Sequence, residues 1–409
     1  MLSLTVSSKA PSRYRMQQLL ALILLLLAGL AGCVEPYAPE VINAPPNLLV
    51  VEGFINADGP TSIRLSRTAA LAAKVTPALE TKARLLIELQ NGPSYALSET
   101  APGTYTGAPL NLPAGSLCRL RISTAKGQQY ASDFVPVSCA PPIDELQWKA
   151  QESGFNFYLS TQDPTGSSQF YRWEYDETWE IIPVYRPDIQ YYTIGPGKGR
   201  LGEISSPYPY PAKCWGNEQS PKIVLNQTAG LSQDQVRDFR LRVLPLNSNR
   251  LFSRYSLHVR QQALTREEYD YWQLLAKNTE NIGTLFDAQP SQLTGNVRNL
   301  DEAGGGQPAL GFVGAHSVSE KRIFVDRTEL PAGTVPLTGY EDCMPPDLTN
   351  PYAGDPPPTP DEIAAILFGA FDDPSYVPIT RVPGQGLWST SVDCVDCRAR
   401  GTAIRPSFW

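Results

Sequence analysis

Leu85-Leu86-Ile87-Glu88-Leu89, the turn pair Asn91-Gly92 and the restart Tyr95-Ala96-Leu97-Ser98 spell a β-hairpin. Asn and Gly tolerate the left-handed backbone that a tight turn requires, and the apolar residues on either side supply its strands. Similar short strands surround it. Leu48-Leu49-Val50-Val51 is an apolar run, and Ile63 and Leu65 alternate with Ser62, Arg64 and Ser66. Leu117 to Ser123 and Gln129 to Val137 flank Lys126-Gly127 as a second hairpin. About seven strands in so short a stretch, joined by turn residues, predict an immunoglobulin-like β-sandwich over residues 48–138.

Ala140-Pro141-Pro142 marks a boundary, because consecutive prolines cannot join a ladder. Beyond it the pattern predicts a larger, mostly antiparallel β domain over 141–330. Tyr171, Trp173 and Tyr175 alternate with Arg172, Glu174 and Asp176, which reads as a strand with an aromatic inner face. Phe239, Leu241 and Val243 alternate with Arg240 and Arg242 in the same way, and further strands are expected at 309–315 and 321–326. Thr265-Arg266-Glu267-Glu268 reads as a capping box opening a helix that places Tyr269, Trp272 and Ala276 on one side. The last segment, 331–409, is Pro-rich and irregular; Thr359-Pro360-Asp361-Glu362 predicts an N-cap, a first-turn proline and a short helix through Phe368. The expected fold class is therefore mainly β with one or two short helices.

At the other end, Lys9, Arg13 and Arg15 precede a leucine-rich run from Leu19 to Leu30, and Leu30-Ala31-Gly32-Cys33 follows. The run is about a dozen residues, short of the roughly 20 that span a bilayer. The four closing residues resemble the bacterial lipobox, in which Cys33 would receive diacylglyceryl and residues 1–32 would be removed as a signal peptide. Residues 33–47, with Pro36, Pro39, Pro45 and Pro46, then read as a lipidated stalk stiffened by proline. Membrane attachment is expected through acyl chains on Cys33 alone. Loss of three basic residues with 1–32 moves the formal charge from -7 to about -10, which argues against nucleic-acid partners.

Six cysteines remain: Cys118, Cys139, Cys214, Cys343, Cys394 and Cys397. In an exported chain an even number reads as up to three bridges. Cys394 and Cys397 are expected to staple the tail through Cys214 and Cys343, with either pairing open, leaving Cys118 with Cys139. Cys394-x-x-Cys397 could complete a zinc site with Cys343 and Cys214, and a redox pair would need a helix start where a loop is read; export makes bridges the default, so no metal or cofactor is expected. His258, on the polar face of a strand with Arg260, and His316, at a hairpin tip, read as solvated. Gly304-Gly305-Gly306 lacks the Lys-Ser/Thr of a phosphate loop and reads as a hairpin or loop. No catalytic residue is assigned. Tyr185, Tyr191, Tyr192, Tyr208 and Tyr210 fall among prolines, and are read either as exposed contacts for a ligand or partner or as a satellite core under a long loop.

Several strings occur together: Leu49-Val50-Val51-Glu52-Gly53, Arg64-Leu65-Ser66-Arg67-Thr68, Ile143-Asp144, the Gly295-Asn296-Val297 turn and Lys321-Arg322-Ile323-Phe324-Val325. Cys394-Val395-Asp396-Cys397 and Arg405-Pro406-Ser407-Phe408-Trp409 close the series. With the lipobox, they resemble the bacterial lipoprotein family known as domain of unknown function 4249. The resemblance implies an outer-membrane lipoprotein, anchored on the periplasmic or, in preference, the cell-surface face. It also implies a neighbouring TonB-dependent receptor and a binding or accessory role in nutrient uptake, towards a small molecule, peptide or glycan. The alternatives are a surface adhesion or scaffold protein and, third, a surface glycan hydrolase, whose paired carboxylates no local motif marks.

If the acyl chains are the only membrane hold, Cys33→Ala will release the protein from the membrane or arrest it as a precursor. Fractionation decides this, and undiminished membrane association of a processed Cys33→Ala protein would defeat the lipidation reading.

Overall fold

The Asn91-Gly92 hairpin forms at the centre of a ten-stranded sheet. The computed structural model describes residues 47–69, 76–280, 295–301, 309–343 and 347–409; Cys33, the stalk up to Pro46 and Gly304 to Gly306 lie outside them. The N-terminal strands are β1 (Leu49–Asn56), β2 (Ser62–Arg67), β3 (Arg84–Leu89), β4 (Ser94–Ala101), β5 (Thr104–Thr106), β6 (Leu117–Ser123), β7 (Gln129–Ser132) and β8 (Val135–Pro136). In the hairpin Leu85 faces Leu97 and Ile87 faces Tyr95. Alternation sends Leu49, Val51, Ile63, Leu65, Leu85, Ile87, Leu120 and Ile122 into one core, so the sheet curls around its own apolar face. Tyr105 is fully buried there and keeps its hydroxyl satisfied by donating to the Glu80 carbonyl at 2.8 Å.

The second unit adds β9 (Ile143–Gln151), β10 (Gly154–Gln162), β11 (Phe170–Ile181), β12 (Ile189–Gly195), β13 (Lys198–Glu203), β14 (Cys214–Gln219), β15 (Val224–Gln227), β16 (Gln235–Leu244) and β17 (Arg254–Ala263). Helix Arg266–Glu280 follows. The chain continues through β18 (Val297–Asn299), β19 (Ala315–His316), β20 (Val318–Asp326), β21 (Asp347–Thr349), helix Pro360–Phe371, β22 (Tyr376–Val382) and β23 (Gly386–Ser391). A β16-β10-β9 sheet and a β14-β11-β17-β20 sheet contribute to a second core. Tyr171, Trp173 and Tyr175 point into it, as their alternation predicts, and Trp173 stacks on Phe239 at 4.8 Å between ring centres. The Trp173 indole donates to Gln261 at 2.8 Å, and Gln261 in turn donates to the Pro141 carbonyl and the Thr161 hydroxyl. The protein is thus mainly β, built from several antiparallel sheets.

One carboxylate lies at the bottom of this core. Glu177 on β11 is fully buried and meets Arg242 of β16 at 3.1 Å, Arg250 at 2.6 Å and the Tyr255 hydroxyl of β17 at 2.7 Å. Strand, facing sheet and the turn Asn249–Leu251 are tied through one anion. Arg250 also stacks on Trp179 at 4.4 Å.

The chain does not stay beyond its Pro141-Pro142 boundary. β18 returns to pair antiparallel with β7, Val297 facing Ser132, and β19 pairs parallel with β1, Ile55 beside Ala315. The strand expected at 309–315 shrinks to a bridge between Leu310 and Val50 and the short β19, because Gly311 turns the chain there. Its φ is +122°, and a Cβ at that residue would lie 2.1 Å from the Val51 carbonyl oxygen.

His316 is consequently not solvated. It is 1 % exposed, stacked on Phe54 at 4.1 Å, with Glu268 at 3.6 Å. The capping box at Thr265 is corrected on the same ground. Thr265 accepts the Glu268 N–H at 3.2 Å, but the Glu268 carboxylate turns inward towards His316 and the Trp272 indole. His258 is half-buried between Asp176 at 3.7 Å and Glu320 at 3.2 Å, and burial, followed by the Arg322 charge, draws its pKa down. At the far helix, by contrast, Thr359 and Glu362 complete a reciprocal capping box and Pro360 occupies the first turn. Among the described residues no helix is long and apolar enough to cross a membrane.

Glu177→Ala will leave two guanidinium groups and a phenol facing an empty site. Removing one member of a buried charge network costs about 3–5 kcal/mol, and urea unfolding of the variant against the parent protein measures it.

Candidate functional site

Tyrosines and prolines between Ile181 and Cys214 make a long excursion out of the β11–β14 hairpin, and the C-terminal segment packs on it. β12 and β13 pair from Ile189–Glu203 to Gly195–Lys198. Ile189, with Tyr191 and Leu201 partly buried beside it, meets Leu367 and Phe371 of helix Pro360–Phe371 and Leu387 of β23 in a satellite core. Asp188 donates its N–H to the Ile379 carbonyl of β22 at 2.9 Å, and the Lys198 ammonium meets Asp361 at 2.8 Å.

Two disulfides fix this arrangement. Cys214 bonds Cys397 and Cys343 bonds Cys394, so each cysteine of the Cys394-x-x-Cys397 motif holds a different partner. They are buried with Ile181 and Tyr340. A tail with few periodic apolar residues gains its attachment from these bonds; each native bridge in a small dependent unit contributes about 2–5 kcal/mol.

Cys118 and Cys139 do not form the third bridge; both are free thiols. The β6–β8 register sets Cys118 opposite Val135, four residues short of Cys139. At about 3.3 Å per residue that separation exceeds the roughly 7 Å Cα limit for a bridge. Ser138, meanwhile, bridges to His316 and directs the chain away. Burial pushes the Cys118 thiol up to about 11, so it stays protonated and unreactive at neutral pH.

The five tyrosines divide between packing and surface. Tyr185 packs against the disulfide core and donates to the Cys343 carbonyl at 3.1 Å. Tyr191 turns into the satellite core, 6.0 Å from Phe371, over Gly199, where a Cβ would strike its ring. Tyr192 points to the opposite face, holding the Glu203 carbonyl at 3.3 Å beneath Arg200 at 5.6 Å. Tyr208 donates to the Pro187 carbonyl at 2.8 Å, lies under Arg186 at 4.4 Å and meets Tyr210 edge-on at 6.0 Å. Burial raises the pKa of both Tyr208 and Tyr210, so their hydroxyls remain donors across the neutral range.

Sequence reasoning singled out the rings but missed the cations beside them. Arg186, Arg200 and Arg381 form no ion pair with a carboxylate among the described residues, and Arg381 borders three pockets of about 730, 350 and 300 Å³. Arg186 was legible as a neighbour of Tyr185. Arg381 and Thr380 were not, since Thr380 reaches Asp188 across 192 positions of sequence.

Fold and site together define a mainly β protein that carries a disulfide-stapled hairpin rich in tyrosine and arginine. Over residues 34–322, more than half its length, the chain matches the family described as "Domain of unknown function (DUF4249)", and it belongs to that family. No curated relative matches. Among solved structures, a chain of "Complete structure of manganese lipoxygenase of Gaeumannomyces graminis and partial structure of zonadhesin of Komagataella pastoris" aligns at 9% identity, over 55% of this chain and 91% of that one. Its TM-score of 0.13 carries no argument.

Alkylation without reductant will label Cys139 in the native protein and Cys118 only after unfolding, with Cys214, Cys343, Cys394 and Cys397 unmodified. Peptide mass spectrometry reads the six positions directly.

Proposed function

We propose that this chain is a non-enzymatic binding subunit, exported as a lipoprotein, tethered to the outer membrane through Cys33 and working beside a TonB-dependent receptor. The observation that carries the binding role is the stapled hairpin, where Arg186 lies over Tyr208 beside Tyr210, Arg200 lies over Tyr192, and Arg381 borders the adjoining pockets. Tyrosine and arginine are the side chains that anchor interfaces, because they bring large rigid area and fixed donors at low entropic cost. Two buried disulfides agree with an oxidising compartment.

The receptor is a proposal resting on the family resemblance, and so are the outer membrane and the lipid. Tyr192→Ser/Tyr208→Ser/Tyr210→Ser, which spares the inward Tyr191, will leave the unfolding midpoint nearly unchanged. It should reduce co-purification of a large barrel from detergent-solubilised membranes by roughly tenfold or more. Equal recovery of the barrel with the triple variant, or no barrel with the parent protein, would overturn the reading.

A further inference from the structure

The pocket of about 730 Å³ is lined by charges of both signs that have not neutralised one another. Arg186 and Arg381 contribute guanidinium groups, Asp188 and Glu203 carboxylates, over an apolar base that includes the buried Pro187 and Ile189. Among the described residues none of these four groups forms an ion pair. Thr380 donates to one Asp188 oxygen at 2.9 Å, leaving the other uncommitted. The Arg186 guanidinium lies 4.4 Å from the centre of the Tyr208 ring, whose hydroxyl donates to the Pro187 carbonyl. The backbone at Asp188 is pinned on both sides, its N–H to Ile379 at 2.9 Å and its carbonyl by the Ile204 N–H at 3.0 Å.

Such a pocket complements a ligand that also carries both charges. Guanidinium groups take a carboxylate through charge-assisted, often bidentate hydrogen bonds, and carboxylates take an ammonium. The volume lies within the range of about 300–1,000 Å³ typical of small-ligand sites. It leaves room for more than a single amino acid. We propose that this pocket binds short peptides with free termini, Arg186 and Arg381 holding the C-terminal carboxylate and Asp188 with Glu203 the N-terminal ammonium. The proposal rests on the reading of this face as the binding surface and adds the class of ligand.

Trialanine titrated calorimetrically into the detergent-solubilised mature protein tests it, alongside N-acetyl-trialanine, trialanine amide and the doubly capped peptide. Each single cap should weaken binding about tenfold, the scale of one lost charge-assisted contact. Arg381→Gln, at an exposed side chain, should weaken trialanine to a similar degree without altering the unfolding midpoint, and should remove the sensitivity to amidation. Asp188→Asn should remove the sensitivity to acetylation. Equal binding of the doubly capped peptide, or no heat with trialanine at any soluble concentration, overturns the peptide assignment. A barrel that still co-purifies in that case would leave the accessory reading standing, so the two failures are distinguishable.

Discussion

The second half of this protein hangs on a single buried carboxylate. Glu177 sits on β11, the strand that pairs with β14, β15 and β17, and it anchors Arg242 of the opposing sheet and Arg250 of the following turn. A lone buried anion would be untenable; two guanidinium groups and the Tyr255 phenol make it a clamp. The clamp sets the spacing of the two sheets around Trp173. It also fixes the last turn of β11, from which Trp179 and Ile181 lead to the disulfide core.

A second constraint joins the halves. Two described segments, 295–301 and 309–317, lay β18 against β7 and β19 against β1, and bring His316 under Phe54. Asn296 serves as a side-chain strand partner here: its carbonyl oxygen accepts the Val313 N–H at 2.8 Å and its amide donates to the Val313 carbonyl at 3.0 Å. The first core contains Val297, Val313 and Ala315, so the N-terminal sheet is not completed by N-terminal residues alone. A domain boundary drawn at the proline pair is therefore crossed by the hydrophobic core itself.

The stapled hairpin combines rigidity and exposure in a way that ordinary loops do not. Its strands are few and short, but covalent bonds at Cys214 and Cys343 replace the apolar burial it lacks. Among the described residues Arg186, Arg200 and Arg381 form no ion pair, whereas Arg67, Arg242, Arg250 and Arg400 are committed to carboxylates.

Period-two alternation was legible wherever one face of a strand is buried, as at Leu85, Ile87, Tyr171 and Trp173, and the caps of Thr359 and Glu362 were written locally. The sequence by itself determined the strand-rich class, the hairpin at Asn91-Gly92, the tail helix and the involvement of Cys214, Cys343, Cys394 and Cys397 in bridging. These depend on neighbours within a few residues or on a count of thiols. Tertiary structure alone decided which cysteines pair, that Cys118 and Cys139 stay apart, that His316 and Glu268 are buried, and that Arg381, Asp188 and Tyr208 line one pocket. Each of those outcomes depends on contacts between residues far apart in sequence. Local spacing constrains the backbone it spans and carries no information about which distant strand will arrive beside it.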